Sequence, residues 1–87
     1  MSLNFPNASR SYDERGQCVR FWGHDGALEI CFFVDQRAIA RISPGTPFNE
    51  MGFLRAFDLC RDQILKAAAK IYAGRRRDSY LLLAKDF

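Results

Sequence analysis

Between positions 19 and 34 apolar residues recur at every second position on both sides of one turn signal, and no other feature of the chain constrains its fold as much. Val19 and Phe21 precede the dipeptide Asp25-Gly26, and Leu28, Ile30, Phe32 and Val34 follow it. Cys18, Arg20, Trp22, Glu29, Cys31 and Phe33 fill the intervening positions. A period of two is that of a β-strand, and Asp-Gly is a strong hairpin signal because both residues of a type I′ turn take positive φ. With Asp25 and Gly26 as the loop, His24 faces Ala27, Phe21 faces Ile30 and Val19 faces Phe32, so the apolar sets share one face. A four-residue loop, 23–26, keeps that match but sets Cys18 opposite Cys31, whereas a three-residue loop sets Phe21 against Glu29 and mixes the faces. The two-residue loop is expected, with the two cysteines too far apart for a disulfide. His24, the only histidine, then sits at the exposed end of the hairpin. No carboxylate or nucleophile is held near it by local spacing, so it reads as part of the turn.

Downstream, Asp35 is placed to cap a short helix over 35–42, which Ser43-Pro44-Gly45 ends. The longest element follows. Thr46-Pro47 offers one cap, and Asn49 offers another with Phe48 and Phe53 set for a hydrophobic staple. From there a helix is expected over 48–73, with Gly74 as its left-handed stop. Leu54, Phe57, Ile64, Leu65, Ala68, Ile71 and Tyr72 form its apolar stripe at spacings of three and four. Arg61 interrupts that stripe, and its expected partners are Asp58, Glu29 or solvent. Finally 79–85, beginning Ser79-Tyr80-Leu81-Leu82-Leu83-Ala84, reads as a strand covered on both faces. The outline is β-β-α-α-β: an α+β domain in which a hairpin (17–34) and a C-terminal strand form a small sheet roofed by one long helix, preceded by an extended arm (1–16).

The stretches SRSYDERGQCVRFWGHDGALEICFFVD, LRAFDLCRDQILKAAAKIY and SYLLLAKDF resemble the bacterial family catalogued as domain of unknown function 1488. Phe5-Pro6, Tyr12-Asp13, Val19-x-Phe21, Ala56-Phe57-Asp58-x-x-Arg61 and the closing Asp86-Phe87 carry the resemblance, and the loop 41–49 matches least. The resemblance implies a small cytoplasmic α+β protein. It implies no activity, so no functional residue is carried over from it.

Two surfaces invite use. The second face of the hairpin holds Trp22, Phe33, Cys18 and Cys31 beside Arg20 and Glu29, which is unusually apolar for a face without a helix. It needs a cover, either the arm with Leu3, Phe5, Pro6 and Tyr12 or another protein. Trp22, Phe33, Arg20 and Tyr12 are therefore the candidate protein-contact residues, with a second copy or an unknown protein as partner. The other surface is electrostatic. Positions 51–87 carry eight basic residues against four acids, and the net charge of +3 comes from that half. The alternative function is weak nucleic-acid binding, with Arg75, Arg76, Arg77 and Lys70 as the candidate residues to touch its phosphates, although cations after a helix also complement its negative end.

Other classes of function find little support. Cys18, Cys31 and Cys60 are too few and of the wrong number for a disulfide framework, and read as reduced thiols. No spacing suits a metal or a cofactor, so neither is expected. Asp58 and Asp62 lie on the solvated side of the helix, the serines have no base in register and the glycines are scattered, so no enzymatic activity is expected. The beginning, MSLNFPNASR, lacks the cationic head and apolar middle of a secretory signal, and a cytoplasmic address is expected.

Overall fold

The computed structural model describes residues 3–74 and 77–87. It is α+β: a five-stranded mixed sheet with helices on one face. In chain order the elements are β1 (Leu3–Asn4), β2 (Arg10–Asp13), β3 (Cys18–Asp25), β4 (Leu28–Asp35), α1 (Gln36–Ile42), α2 (Glu50–Leu59), α3 (Arg61–Gly74), β5 (Ser79–Leu82) and a 3₁₀ turn, Ala84–Asp86. The sheet runs β1-β3-β4-β5, with β2 also paired to β3.

The expected hairpin is present, but its register is displaced. Phe21 pairs with Phe32 rather than Ile30, and Val19 pairs with Val34 rather than Phe32. The loop is Gly26-Ala27, and only Gly26 takes positive φ, at 63°. That is the demand of a type II′ turn, which needs glycine at its first loop position alone. The displacement aligns aromatic rings across the strands: Phe21 stacks on Phe32 with centroids 5.3 Å apart, and Tyr80 stacks on the other side of Phe32 at 5.3 Å. Such pairs add about 0.5–1.5 kcal/mol beyond their burial. Because the slip is by two, each side chain keeps the face that alternation assigns it. His24 lies within β3 rather than in the turn, between Asn4 and Glu29.

The arm is not a loose cover. β1 and β2 pair in tandem with the outer edge of β3, through Leu3↔Asp25 and Asn4↔His24 and then Arg10↔Phe21 to Asp13↔Cys18. Residues 5–9 bulge between them. Here Phe5 packs over Gly23, where an added Cβ would lie 2.8 Å from the ring, and reaches Phe21 and Phe32 at 6.0 and 5.7 Å. Two arginines join the arm to the helices. Arg10 forms a two-pronged pair with Asp58, at 2.9 and 2.7 Å, and Arg61 donates to the carbonyl of Asn7 at 2.8 Å. The break in the apolar stripe at Arg61 is thus an anchor for the arm, while Asp58 is held by Arg10.

The single long helix expected over 48–73 is two helices jointed at Cys60, whose φ and ψ of −104° and 16° leave the helical range. Hydrogen bonds from Cys60 to Ala56 and from Ile64 to Cys60 bridge the joint. An unbroken helix would set Arg61, one turn beyond Phe57, on the core stripe; past the joint it reaches the arm instead. Of the rival caps, Asn49 is the one used: its side chain accepts from the Gly52 amide at 2.7 Å, and Phe48 meets Phe53 edge-on at 5.2 Å. Asp35 stands at the start of α1, but its side chain makes no cap bond. The last strand is shorter than expected and runs parallel to β4, with Phe32↔Tyr80 and Val34↔Leu82. It is covered on one face only, since Tyr80 and Leu82 are buried whereas Leu81 is 49% exposed.

All fully buried large side chains lie between sheet and helices: Val19, Phe21, Phe32, Val34, Tyr80 and Leu82 below, and Ile39, Phe53, Phe57 and Ile64 above. Gly52 marks the tightest fit of the helical layer, because a Cβ there would strike the Pro47 carbonyl. Alanine normally stabilises a helix relative to glycine by up to about 1 kcal/mol. Here Gly52→Ala is expected to destabilise by about 1–3 kcal/mol through overpacking, lowering Tm by roughly 4–8 °C per kcal/mol. A thermal melt with Tm unchanged or raised would refute the close approach.

Candidate interaction face

The pairing registers place four ranks of side chains on the sheet face opposite the helices. Asp13, Cys18 and Asp35 form the first rank; Ser11, Arg20, Phe33 and Leu81 the second; Trp22, Cys31 and Ser79 the third; Asn4, His24 and Glu29 the fourth. The middle is apolar and the ends are polar. Trp22, Cys31 and Phe33 are half-buried, and none belongs to the core cluster. The Arg20 guanidinium lies 5.0 Å over the Trp22 ring, a cation–π contact worth about 0.5–1 kcal/mol at an exposed site. Arg20 and Glu29 form no ion pair among the described residues.

Three of the four candidate contact residues, Trp22, Phe33 and Arg20, are thereby brought together. Tyr12 is not among them. It points to the helix side, stacks on Phe53 at 5.7 Å and donates to Gln36 at 2.8 Å. Leu3, Phe5 and Tyr12 all pack against the core cluster, so the apolar side chains of the arm, one of the two covers expected for the aromatic face, lie on the other side. Alternation explains the difference: Arg10 and Tyr12 oppose Phe21 and Val19, which already face inward. Leu81 was missed as a member of the face because an apolar run conceals its own parity. Its neighbours Tyr80 and Leu82 are both buried, which assigns Leu81 outward.

Of the candidate phosphate contacts, Arg77 and Lys70 are exposed, with the Arg77 amide donating to the Tyr80 hydroxyl at 2.9 Å; Arg75 and Arg76 lie outside the described residues. No group of three potential metal ligands occurs among the described residues. Nor is any described helix long and apolar enough to cross a membrane.

A family model described as "Protein of unknown function (DUF1488)" matches residues 3–83. The chain belongs to that family. No curated protein and no solved structure matches it. As a member of the DUF1488 family the chain has a shared pattern that includes the arm, the hairpin and the helices, while the chemistry of its outer face must be argued from its own residues.

Cys18 shows how strongly one end of that face is closed. It is 5% exposed and lies beneath the turn 14–17, where a Cβ on Gly16 would come within 3.1 Å of its sulfur. Burial, and then the carboxylates of Asp13 and Asp35 and the Cys31 sulfur, push its thiol up to about 11, from 9.0. In the unfolded chain the thiol ionises near 9, so between pH 9 and 11 the unfolded state holds fewer protons than the native one. Stability from this group is complete below 9 and is lost as pH rises through 11, with a slope of at most ~1.4 kcal/mol per unit. Urea melts at pH 8.5 and 10.5, values on either side of the point where ionisation begins, are expected to show a larger alkaline loss for the parent than for Cys18→Ala. Equal losses would contradict a buried neutral thiol.

Proposed function

We propose that this protein is a protein-interaction module that pairs with a second copy of itself through the outer face of the sheet. The observation that supports this reading is an apolar centre of Trp22, Cys31, Phe33 and Leu81 on the sheet face turned away from the core, none of it part of the core cluster. Rigid aromatics beside an arginine are frequent anchors of protein interfaces. The charges favour a like partner. The face carries Arg20 on one side of its centre and Glu29 on the other, and a two-fold contact, in which residue i meets j and j meets i, pairs the two reciprocally.

The 26 strand residues, each covering about 3.3 Å by 4.8 Å, give a face of roughly 400 Å² per copy. About 800 Å² in total lies below the size of stable specific interfaces and in the range of weak, transient ones. The expected dimer is therefore weak, with Kd in the micromolar range, and exchanges with monomer.

Sedimentation of the parent across a micromolar concentration series is expected to show a reversible dimer, and dilution to shift Trp22 emission to the red. Trp22→Ala should sediment as a monomer while retaining the parent's circular dichroism. In a Cys60→Ser background, a short bis-maleimide should link Cys31 to its counterpart in the parent and not in the Trp22→Ala form. A monomer at every concentration, or a dimer indifferent to Trp22, would overturn the proposal.

A further inference from the structure

A second surface, on the helical side, carries features that the sheet does not explain. The two most exposed large apolar side chains lie there, Met51 and Leu59, each at 79%. Met51, Arg55 and Leu59 follow one another at every fourth position of α2, so they form a ridge along its outer side. Beside this ridge lies a hollow of about 390 Å³ lined by Pro44, Thr46, Pro47, Met51, Arg55 and Leu59 among others.

The wall opposite the helix is built stiffly. Pro44 and Gly45, the latter with φ of 87°, turn the chain, and Thr46 closes the turn by donating to the Ser43 carbonyl from its amide at 3.3 Å and its hydroxyl at 2.6 Å. The next residues are clamped by the Asn49 amide on the Pro47 carbonyl at 2.9 Å and by the close approach of that carbonyl to Gly52. Two prolines and these bonds hold the groove open before anything enters it, which lowers the ordering cost of binding.

Its charge is one-sided. Arg55 is the only charged residue in the lining, and no ion pair or hydrogen bond engages its side chain among the described residues. From Met51 to Leu59 the ridge is about 12 Å long at 1.5 Å per residue, the length of about four extended residues. We infer that this groove docks a short apolar segment of a partner polypeptide carrying one carboxylate at its centre, seated against Arg55 with apolar side chains on Met51 and Leu59. Methionine suits such a surface because its unbranched side chain adapts to varied shapes. The inference concerns the face opposite the sheet and stands independently of the self-association proposed above.

The test uses isotope-labelled full-length protein and two capped tetrapeptides, Leu-Glu-Leu-Phe and Leu-Lys-Leu-Phe, followed by amide chemical shifts. The acidic peptide is expected to move the amides of Gly45, Gly52, Arg55 and Leu59 and to bind about threefold more tightly than the lysine peptide, as one exposed charge pair allows. Arg55→Glu, a surface change in a helix, should reverse that preference. Trp22→Ala should leave it intact, so failure of the sheet-face dimer and failure of the groove are read separately. Shifts elsewhere, no shifts at millimolar peptide, or a preference indifferent to Arg55 would each overturn the inference. So would a loss of self-association in Arg55→Glu, which would assign the groove to a second copy.

Discussion

The ring stack that crosses the sheet, Phe21 on Phe32 on Tyr80, fixes the arrangement of everything else. Each step of the stack is a strand pairing, antiparallel between β3 and β4 and parallel between β4 and β5. Phe32, wholly buried, also meets Phe5 from the arm and Tyr72 from α3. One side chain thus joins β4 to its two neighbours in the sheet, to the N-terminal segment and to the helical layer. Setting these rings inward compels the alternate positions, Arg20, Trp22, Cys31, Phe33 and Leu81, to face outward. The open aromatic face is a geometric consequence of how the core is filled.

A chain of this size can fill only one core. The arm is spent on that core: Leu3, Phe5 and Tyr12 extend its edge, and the contacts of Arg10 with Asp58 and of Arg61 with Asn7 hold the arm against the helices. Both partners of the Arg10–Asp58 pair are partly solvated, at 32% and 49% side-chain exposure, so the pair contributes on the order of 1 kcal/mol or less. Its effect is directional. It ties the β2 strand of the arm to α2 on the helical side of the sheet.

Much of this was legible in the residue pattern, and the failures share one cause. Alternation around Asp25-Gly26 places each hairpin side chain on the correct face, and Asn49 with Phe48 and Phe53 marks the start of α2. Alternation cannot separate registers that differ by two, however, and the choice between them was made by aromatic stacking and by a turn that needs only one glycine. The joint at Cys60 carried no proline or glycine to announce it; a charged residue on an apolar stripe, Arg61, was the only signal. Tyr12 was assigned to the wrong face because a segment joined to the sheet by residues 14–17 has no parity until its register is known. Gln17, the one described non-glycine residue with positive φ, at 53°, sits in that connection.

The two surfaces are coupled by the layering of the fold. Helices occupy one face of the sheet alone, so a pair formed through the other face would turn both helical layers outward and leave both α2 grooves open. Neither groove would compete with the dimer contact, and each would be presented twice on one particle. A partner carrying two acidic apolar segments would meet the second groove as an intramolecular event, at the effective concentration set by the chain between its segments. Weak affinity at each groove is compatible with firm attachment only under that condition. Self-association of the sheet face would then act on binding through valency, without any change in the shape of the groove.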